Sequence, residues 1–333
     1  MNQTFLIITS IANPDHPILK KFAKESLFYR IPFIVVGDTK SPKEFNLSGC
    51  DFYSIERQQS LNFELAKVLP LKHYARKNLG YLMAISNGAE IIIETDDDNI
   101  PLRDFWEKRT KQVNAHLLSN KGWVNIYKYF TDAHIWPRGF ALENIQDNSP
   151  LLEDQVLINC PIQQGLADEN PDVDAIYRLI LPLPITFNKS ENIALGNNSF
   201  CPFNSQNTTW FKEAFPLLYL PSHCSFRMTD IWRSFVAQRI AWTCGWPILY
   251  HKSTVWQQRN DHNLMTDFRD EIPGYVNNAQ IYTCLKELNL EKGIVNIPYN
   301  MIKCYKKLIE LGFVGEDEIR LLDAWLKDIK VLF

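Results

Sequence analysis

Three consecutive acidic residues, Asp96, Asp97 and Asp98, are the group in the sequence with the clearest chemical potential. They directly follow the apolar run Ile91–Ile93, which is typical of a strand buried on both faces. Adjacent carboxylates repel one another unless a cation lies among them, and hard divalent ions prefer carboxylate oxygens. The triplet therefore predicts a metal site with Asp96 and Asp98 as ligands. The alternative interpretation is a solvated acidic turn.

Two other polar groups precede the triplet and could act with it. Asp38 follows the apolar segment Pro32–Val36, and the cations Arg76 and Lys77 stand near a predicted helix start. Cations at such a position suit a pyrophosphate, although charged residues also occur there simply because the turn is exposed. In combination the groups predict a site for a nucleotide-diphosphate sugar, with Asp38, Arg76, Lys77 and Asp97 binding this donor.

The elements that must position these groups alternate along the first hundred residues. Apolar runs predict strands, and apolar residues at helical spacing predict helices between them. The predicted strands are Thr4–Ile11, Pro32–Val36 and Cys50–Ile55, and the predicted helices are Pro17–Tyr29, Gln58–Leu69 and His73–Asn87. This order is typical of an α/β fold with a mostly parallel sheet, in which ligands bind at the carboxyl ends of the strands. Asp38 and the triplet both fall at that edge.

The rest of the chain divides by composition. Residues from about 120 to 275 are irregular and rich in Pro, Asn and Trp, which is typical of a functional region. The end has helical periodicity over Ile281–Leu288, Pro298–Leu311 and Glu316–Leu332. We predict a catalytic domain over 1–275, with a nucleotide-sugar half at 1–120 and an acceptor half at 121–275. A small helical appendage at 276–333 follows it.

Composition excludes several classes of protein. The chain has 333 residues and a net charge of −3 without an extended basic run, which argues against a nucleic-acid binder. No apolar stretch is long enough for a membrane span, and no signal peptide is recognisable. The seven cysteines lack close pairs, which argues against a disulfide framework and a zinc site. We predict a cytoplasmic protein, with peripheral attachment to the inner membrane and homo-oligomerisation left open.

A set of ordered motifs resembles the STELLO-type glycosyltransferases. The motifs are Val36–Pro42, Tyr74–Tyr81, Glu94–Asn99, Trp136–Phe140, Gln164–Asp168, Pro171–Arg178, Asn204–Thr208, Thr229–Ser234, Gln238-Arg239 and Ala324–Asp328. The resemblance implies a GT-A (Rossmann-like) fold, Mn²⁺ or Mg²⁺, and a nucleotide-sugar donor for which a UDP-sugar is expected. Plant members carry an N-terminal membrane anchor that this sequence does not show. We therefore do not extend their cellular location and role to this protein.

The resemblance also implies roles for later residues. Asp230 is predicted to be the base that deprotonates the acceptor hydroxyl if the reaction inverts configuration, and to orient the acceptor if it retains configuration. The alternative without a catalytic role is an N-cap. His262 is predicted to complete the metal shell. The leaving diphosphate could be neutralised by Arg138 or Arg227, each of which could instead pair with a carboxylate. Asp172 and Asp174, together with Arg227, are predicted to bind the acceptor or the sugar; for Asp172 and Asp174 the alternative is a capped turn.

The predicted activity is transfer of a hexose or pentose from the nucleotide sugar to a hydroxyl on a glycan or lipid-linked glycan. A looser likeness of Gly165–Ala175 to the reversibly glycosylated polypeptides leaves a nucleotide-sugar mutase or self-glycosylating enzyme as an alternative. A non-catalytic scaffold for polysaccharide synthesis is the second alternative. The sugar, the acceptor and the stereochemistry do not follow from the sequence.

Overall fold

A mixed α/β architecture organises the chain. The computed structural model describes residues 3–260 and 263–333. Its strands are β1 (Thr4–Thr9), β2 (Phe33–Val36), β3 (Asp51–Tyr53), β4 (Ile91–Thr95), β5 (Asn99–Pro101), β6 (Gln112–Leu118), β7 (Gly122–Trp123), β8 (Gln155–Asn159), β9 (Ile162–Asp168), β10 (Ile193–Leu195), β11 (Ser199–Phe200), β12 (Asn207–Phe211) and β13 (Ile248–Gln257). Its α-helices are α1 (Pro17–Tyr29), α2 (Ile55–Gln59), α3 (Glu64–Val68), α4 (Lys77–Ser86), α5 (Ala175–Ile180), α6 (Thr229–Thr243), α7 (Leu264–Glu287), α8 (Ile297–Glu310) and α9 (Glu318–Leu332).

One large sheet forms the centre of the described residues. Its strand order is β3-β2-β1-β4-β12-β9-β13-β10-β6-β8, and β5 pairs with β13 off this path. Strands β3, β2, β1 and β4 are parallel neighbours, whereas β12 is antiparallel to both β4 and β9. The predicted α/β fold with a central sheet flanked by helices is confirmed, and its longest run of parallel neighbours consists of the N-terminal strands β1 to β4.

The N-terminal strands are buried on both faces, as the continuous apolar runs predict. In β4, Ile91, Ile92 and Ile93 are almost completely buried, and α4 covers one face of the neighbouring strands. Helix α4 approaches closely through Gly80, because a Cβ atom there would lie 2.8 Å from methyl carbons of Ile7 and Val36. This close packing places α4 against β1 and β2.

Three predicted elements differ from the structure. Helix Gln58–Leu69 is wrong: α2 ends at Gln59, and α3 begins only after an extended Phe63. Ile55 belongs to α2 and not to the third strand, because the Ser54 side chain caps that helix by accepting a hydrogen bond from the Arg57 N–H. The helix predicted from His73 begins as a 3₁₀ turn, Tyr74–Arg76, that continues into α4.

Helices also form the C-terminal part, as predicted. The predicted segment Ile281–Leu288 is the end of the long helix α7, which runs through the proposed boundary at 275/276. The division of the chain into domains therefore stays a prediction. None of the helices in 3–260 and 263–333 is long and apolar enough to cross a membrane.

Candidate functional site

Two adjoining cavities open at the carboxyl ends of β1, β2 and β4. The first, which we call the charged cavity, has a volume of about 290 Å³ and is lined by the acidic triplet. The second, which we call the strand-end cavity, has a volume of about 410 Å³ and is lined by residues that follow β1 and β2. Four residues line both cavities: Thr9, Tyr74, Asp97 and Phe226. The arrangement offers a continuous site for a ligand with two chemically different halves.

The acidic triplet forms one wall of the charged cavity. Buried Lys77 donates a hydrogen bond from Nζ to Asp96 Oδ1 at 2.9 Å, and Gln257 Nε2 donates to Asp98 Oδ2 at 2.9 Å. Ser10 Oγ donates to Asp97 Oδ2. All three carboxyls line the charged cavity, because β4 ends at Thr95 and strand alternation does not continue through the triplet.

The three carboxylates carry more negative charge than their neighbours neutralise. Burial raises the pKa of Asp96 to about 6, even though Lys77 acts to lower it. Burial also raises the pKa of Asp97 and of Asp98, against the hydrogen bonds from Ser10 and Gln257. A raised carboxyl pKa means that the ionised form is poorly compensated here. The triplet would therefore gain from a bound cation.

Asp98 gives a second, more specific indication that a bound cation would stabilise the triplet. Its Oδ1 atom is buried and has no hydrogen-bond partner of ordinary geometry within the described residues, although the backbone N–H of Asn260 is close enough to the carboxyl to lower its pKa. A buried carboxylate oxygen without a partner is costly, and a metal ion is one of the partners that can satisfy it. Asp96 and Asp98 also interact electrostatically with each other, so both face the same region. These two residues fit a hard divalent cation.

The described residues alone do not supply a full coordination shell. Within 3–260 and 263–333 there is no group of three or more His, Cys, Asp and Glu side chains that could hold a metal ion. His262, the predicted third ligand, lies outside the described residues. Ligand phosphates, water or a residue outside the described ranges would have to complete the shell of any cation on Asp96 and Asp98.

Arg138 joins two acids on the floor of the charged cavity. Its Nε and Nη2 donate to Asp172 at 2.8 and 2.9 Å, and its Nη1 and Nη2 donate to Asp230 at 3.1 and 2.9 Å. Nη1 also donates to the Arg227 carbonyl, so every N–H of this guanidinium has a partner. Burial acts to lower the pKa of Arg138, but the two carboxylates raise it well above its usual value. Arg138 therefore has no donor left for a phosphate. Of its two predicted partners, a diphosphate or a carboxylate, the structure shows the carboxylates.

Asp230 lies in the site but is strongly held. Burial alone would raise its pKa, whereas Arg138 and Arg233 keep the pKa of Asp230 well below its usual range. The Ser205 N–H donates to Asp230 Oδ2 at 3.1 Å. A carboxylate held ionised in this way is a weak base, so these surroundings do not suit the predicted base role.

The strand-end cavity contains three of the predicted donor-binding residues: Asp38, Arg76 and Asp97, the last of which it shares with the charged cavity. Asp38 accepts hydrogen bonds from the backbone N–H groups of Thr39, Lys72 and His73, so its main contact is with the loop before α4. Arg76 is buried and donates to Gln58 and to backbone carbonyls, but its Nη2 has no partner in the described residues. Arg76 thus lines the strand-end cavity and Lys77 reaches the triplet, so the two cations serve different halves of the site.

Of the remaining predicted residues, one lines the charged cavity and one is buried away from both cavities. Arg227 lines the charged cavity and pairs with Glu271, with Nη2 2.7 Å from Oε1. Asp174 is buried away from both cavities: it caps α5 by accepting the Tyr177 N–H at 2.8 Å and also accepts from Trp136 at 2.7 Å. Its position corrects the predicted sugar-binding role in favour of the capped turn, because both oxygens are used inside the protein.

Several site residues were missed from the sequence. Arg259, Gln257, Ser205 and Phe226 line the charged cavity without belonging to a recognisable chemical pattern. Arg233 and Glu94 form a buried ion pair behind the triplet, with Nη2 2.8 Å from Oε1. Both lie inside motifs that the resemblance uses, Glu94–Asn99 and Thr229–Ser234. Their presence in those motifs was the one available signal.

The comparisons with known proteins point to the glycosyltransferase class. The sequence model of the STELLO glycosyltransferases matches residues 227–333. The chain is 29% identical over 323 residues to "Probable glycosyltransferase STELLO2" of Arabidopsis thaliana and 28% identical over 317 residues to "Probable glycosyltransferase STELLO1" of the same plant. Both alignments cover 89% of this chain and 41% of the relative, so the chain spans less than half the length of these relatives. The resemblance to the STELLO type is confirmed.

One solved structure is also similar. It is described as "Crystal Structure of a Mycobacterial Protein", and it aligns with a TM-score of 0.40 and 8% sequence identity over 93% of this chain and 74% of that chain.

Proposed function

We propose that the chain is a metal-dependent glycosyltransferase that moves a sugar from a nucleotide-diphosphate sugar to an acceptor hydroxyl. The observation that carries the proposal is the position of the triplet, at the junction of two cavities, with Asp98 Oδ1 buried and without a partner among the described residues. A nucleotide sugar has one end that suits a cavity with apolar walls and another end that needs cationic neutralisation. The resemblance to glycosyltransferases favours the same class.

The donor would occupy both cavities. The strand-end cavity suits the nucleoside, because Arg76 Nη2 can donate there to a carbonyl oxygen of a base such as uracil. The diphosphate would then pass Thr9 and Tyr74 and reach Asp96 and Asp98. Mn²⁺ or Mg²⁺ held by these two residues would supply charge stabilisation for the departing diphosphate. A glycan or a lipid-linked glycan is the acceptor class that we propose.

Calorimetry of UDP binding, with and without Mn²⁺, tests the donor site. We expect wild-type protein to bind UDP more tightly by about tenfold or more with Mn²⁺, and Asp98→Asn to lose this difference. Asp132→Asn is the matched control, because its carboxylate is exposed and pairs with Lys189 at the surface. Equal affinity of wild-type protein for UDP in both conditions, or an unchanged Asp98→Asn variant, would contradict the metal site.

The mutase alternative can be separated by its product. NMR of UDP-sugars incubated with the protein and Mn²⁺ would show exchange of the sugar ring form without an acceptor if the protein were a mutase. A transferase instead releases UDP together with a new glycoside or the free sugar. A scaffold would do neither.

A further inference from the structure

The acids on the floor of the charged cavity differ in their free hydrogen-bonding capacity. Each carboxylate oxygen offers about two acceptor positions. Asp230 Oδ1 accepts from Arg138 Nη1, from the Ile231 N–H at 3.0 Å and from Tyr74 OH at 3.3 Å. Asp230 Oδ2 accepts from Arg138 Nη2, from the Ser205 N–H and from Ser205 Oγ at 3.4 Å. Asp230 has no position left for a substrate proton.

Asp172 has one open position. Its Oδ2 accepts from Arg138 Nη2 at 2.9 Å and from Asn204 Nδ2 at 2.8 Å, which fills that oxygen. Among residues 3–260 and 263–333, its Oδ1 accepts only from Arg138 Nε, at 2.8 Å. The Asp172 side chain lines the charged cavity and is 12% exposed, compared with 5% for Asp230. Of these two acids, Asp172 is therefore the one that an acceptor hydroxyl can reach.

Arg138 connects the two acids rigidly. The same Nη2 atom contacts Oδ2 of both Asp172 and Asp230, and the Arg138 N–H donates to the Asp172 carbonyl at 2.8 Å. A guanidinium held by two carboxylates in this planar, forked way has a fixed orientation. Asp230 thus sets the position of Arg138, and Arg138 sets the position of Asp172.

We propose that Asp172, and not Asp230, receives the proton of the acceptor hydroxyl. The acceptor oxygen forms a bond to the anomeric carbon of the donor, and the bond from that carbon to the diphosphate oxygen breaks with its electron pair going to the diphosphate. The hydroxyl proton passes to Asp172 Oδ1. Asp230 is a positioning residue that acts through Arg138. This proposal depends on the proposed transferase function and assigns its proton transfer.

Release of UDP from a UDP-sugar in the presence of Mn²⁺ gives a test that needs no known acceptor. UDP-glucose, UDP-galactose and UDP-N-acetylglucosamine are screened first. The UDP-sugar from which UDP is released fastest is then assayed twice, with water as the only acceptor and with added azide. Water must lose a proton to react, whereas azide is an anion that can attack the anomeric carbon without a base. The variants are Asp172→Asn and Asp230→Asn, with Asp132→Asn as the surface control.

We expect Asp172→Asn to lower the rate with water by about 100-fold or more, as for loss of a general base, and azide to restore most of this loss. Asp230→Asn should slow both reactions to the same extent, because a displaced Arg138 affects every acceptor. Wild-type rates in Asp172→Asn, or azide rescue of Asp230→Asn alone, would overturn the proposal. Calorimetry of UDP with Mn²⁺ distinguishes failure of the Asp172 assignment from failure of the proposed transferase function. If wild-type protein binds no UDP, the transferase function itself is contradicted.

Discussion

At the residue scale, the buried pair of Glu94 and Arg233 supports the triplet from behind. Both side chains are almost completely buried, and Arg233 Nη1 donates to Glu94 Oε2 at 3.0 Å. Trp210 Nε1 and Tyr81 OH also donate to Glu94. Every oxygen of this carboxylate is therefore satisfied. Such a pair holds β4 to α6 and fixes the place where the triplet begins.

We predict that Glu94→Gln lowers the free energy of unfolding by about 3–5 kcal/mol, because it leaves a buried guanidinium without a counter-charge. Lys212→Gln is the comparison, because it breaks the surface ion pair between Lys212 and Glu90. The side chains of Lys212 and Glu90 are 49% and 43% exposed, so the loss of this pair should cost about 1 kcal/mol or less. Urea unfolding of both variants measures the difference. Equal losses in the two variants would show that burial of the first pair has no special cost.

Asp174 gives a prediction about pH. Burial raises its pKa to about 6, despite the hydrogen bonds from Tyr177 and Trp136. The folded state therefore binds a proton more readily than the unfolded state, and this residue makes stability fall as pH rises from about 4 to about 6. Asp174→Asn keeps an N-cap acceptor without the charge. We expect the variant to be at least as stable as wild type at pH 7, with the difference shrinking towards pH 4.

Asp174→Ala is the control for that experiment, because it removes the cap as well as the charge. It should be less stable than Asp174→Asn by about 1 kcal/mol at each pH. Thermal unfolding across the pH range would check both variants. A larger advantage of Asp174→Asn at pH 4 than at pH 7 would have the wrong sign for a buried acid with a raised pKa.

At the element scale, helix α3 depends on a side chain from the other end of the chain. Asp328 in α9 accepts the N–H groups of Glu64 and Leu65 at 2.8 and 2.9 Å. We predict that Asp328→Ala costs about 1 kcal/mol of stability through loss of this cap, measured by urea unfolding. Asp323→Ala, at an exposed position of the same helix, should be close to neutral. Similar losses in both variants would argue that α9 itself is sensitive at any position.

This long-range cap explains which elements the sequence allowed us to predict. Helix α1 has its own signals, with Pro17 at the start and an apolar stripe, and its predicted bounds agree with the structure. The break between α2 and α3 has no local signal, because the group that caps α3 is 264 residues away. Local pattern therefore predicts self-contained elements, and it fails where a distant residue decides the boundary.

The candidate site shows the same difference between what the local sequence predicts and what distant residues decide. The triplet and Lys77 are brought to one cavity or its wall, as expected from their positions at the ends of predicted elements. Other residues line the same cavity from the region predicted to be irregular, where the resemblance was the available signal: Arg138, Asp172, Arg227 and Asp230. The hydrogen bonds and ion pairs that these residues form with one another were not predictable from the sequence. Whether Arg138 faces a phosphate or two carboxylates depends on Asp172 and Asp230 meeting across the fold, and one sequence contains no information on that meeting.

At the scale of the whole molecule, the C-terminal helices are integrated into the fold around the site. Trp325 in α9 is fully buried and donates to the Pro216 carbonyl at 2.9 Å. Glu318 accepts the N–H groups of Ser222 and His223 at 2.9 and 2.7 Å, in the loop that leads to Phe226. The segment predicted as a small appendage therefore helps to hold the wall of the charged cavity.

We predict that a chain ending at residue 288, without α8 and α9, does not fold cooperatively. The deletion removes Trp325 and Cys304 from the core and leaves the Ser222 and His223 N–H groups without their acceptor. Circular dichroism on heating should show no sharp transition. A chain ending at residue 330 is the matched control: it loses the exposed Val331 and the half-exposed Phe333 and should unfold like the full chain. A cooperative transition with metal-dependent UDP binding in the chain of 288 residues would instead show that the N-terminal half is an independent unit.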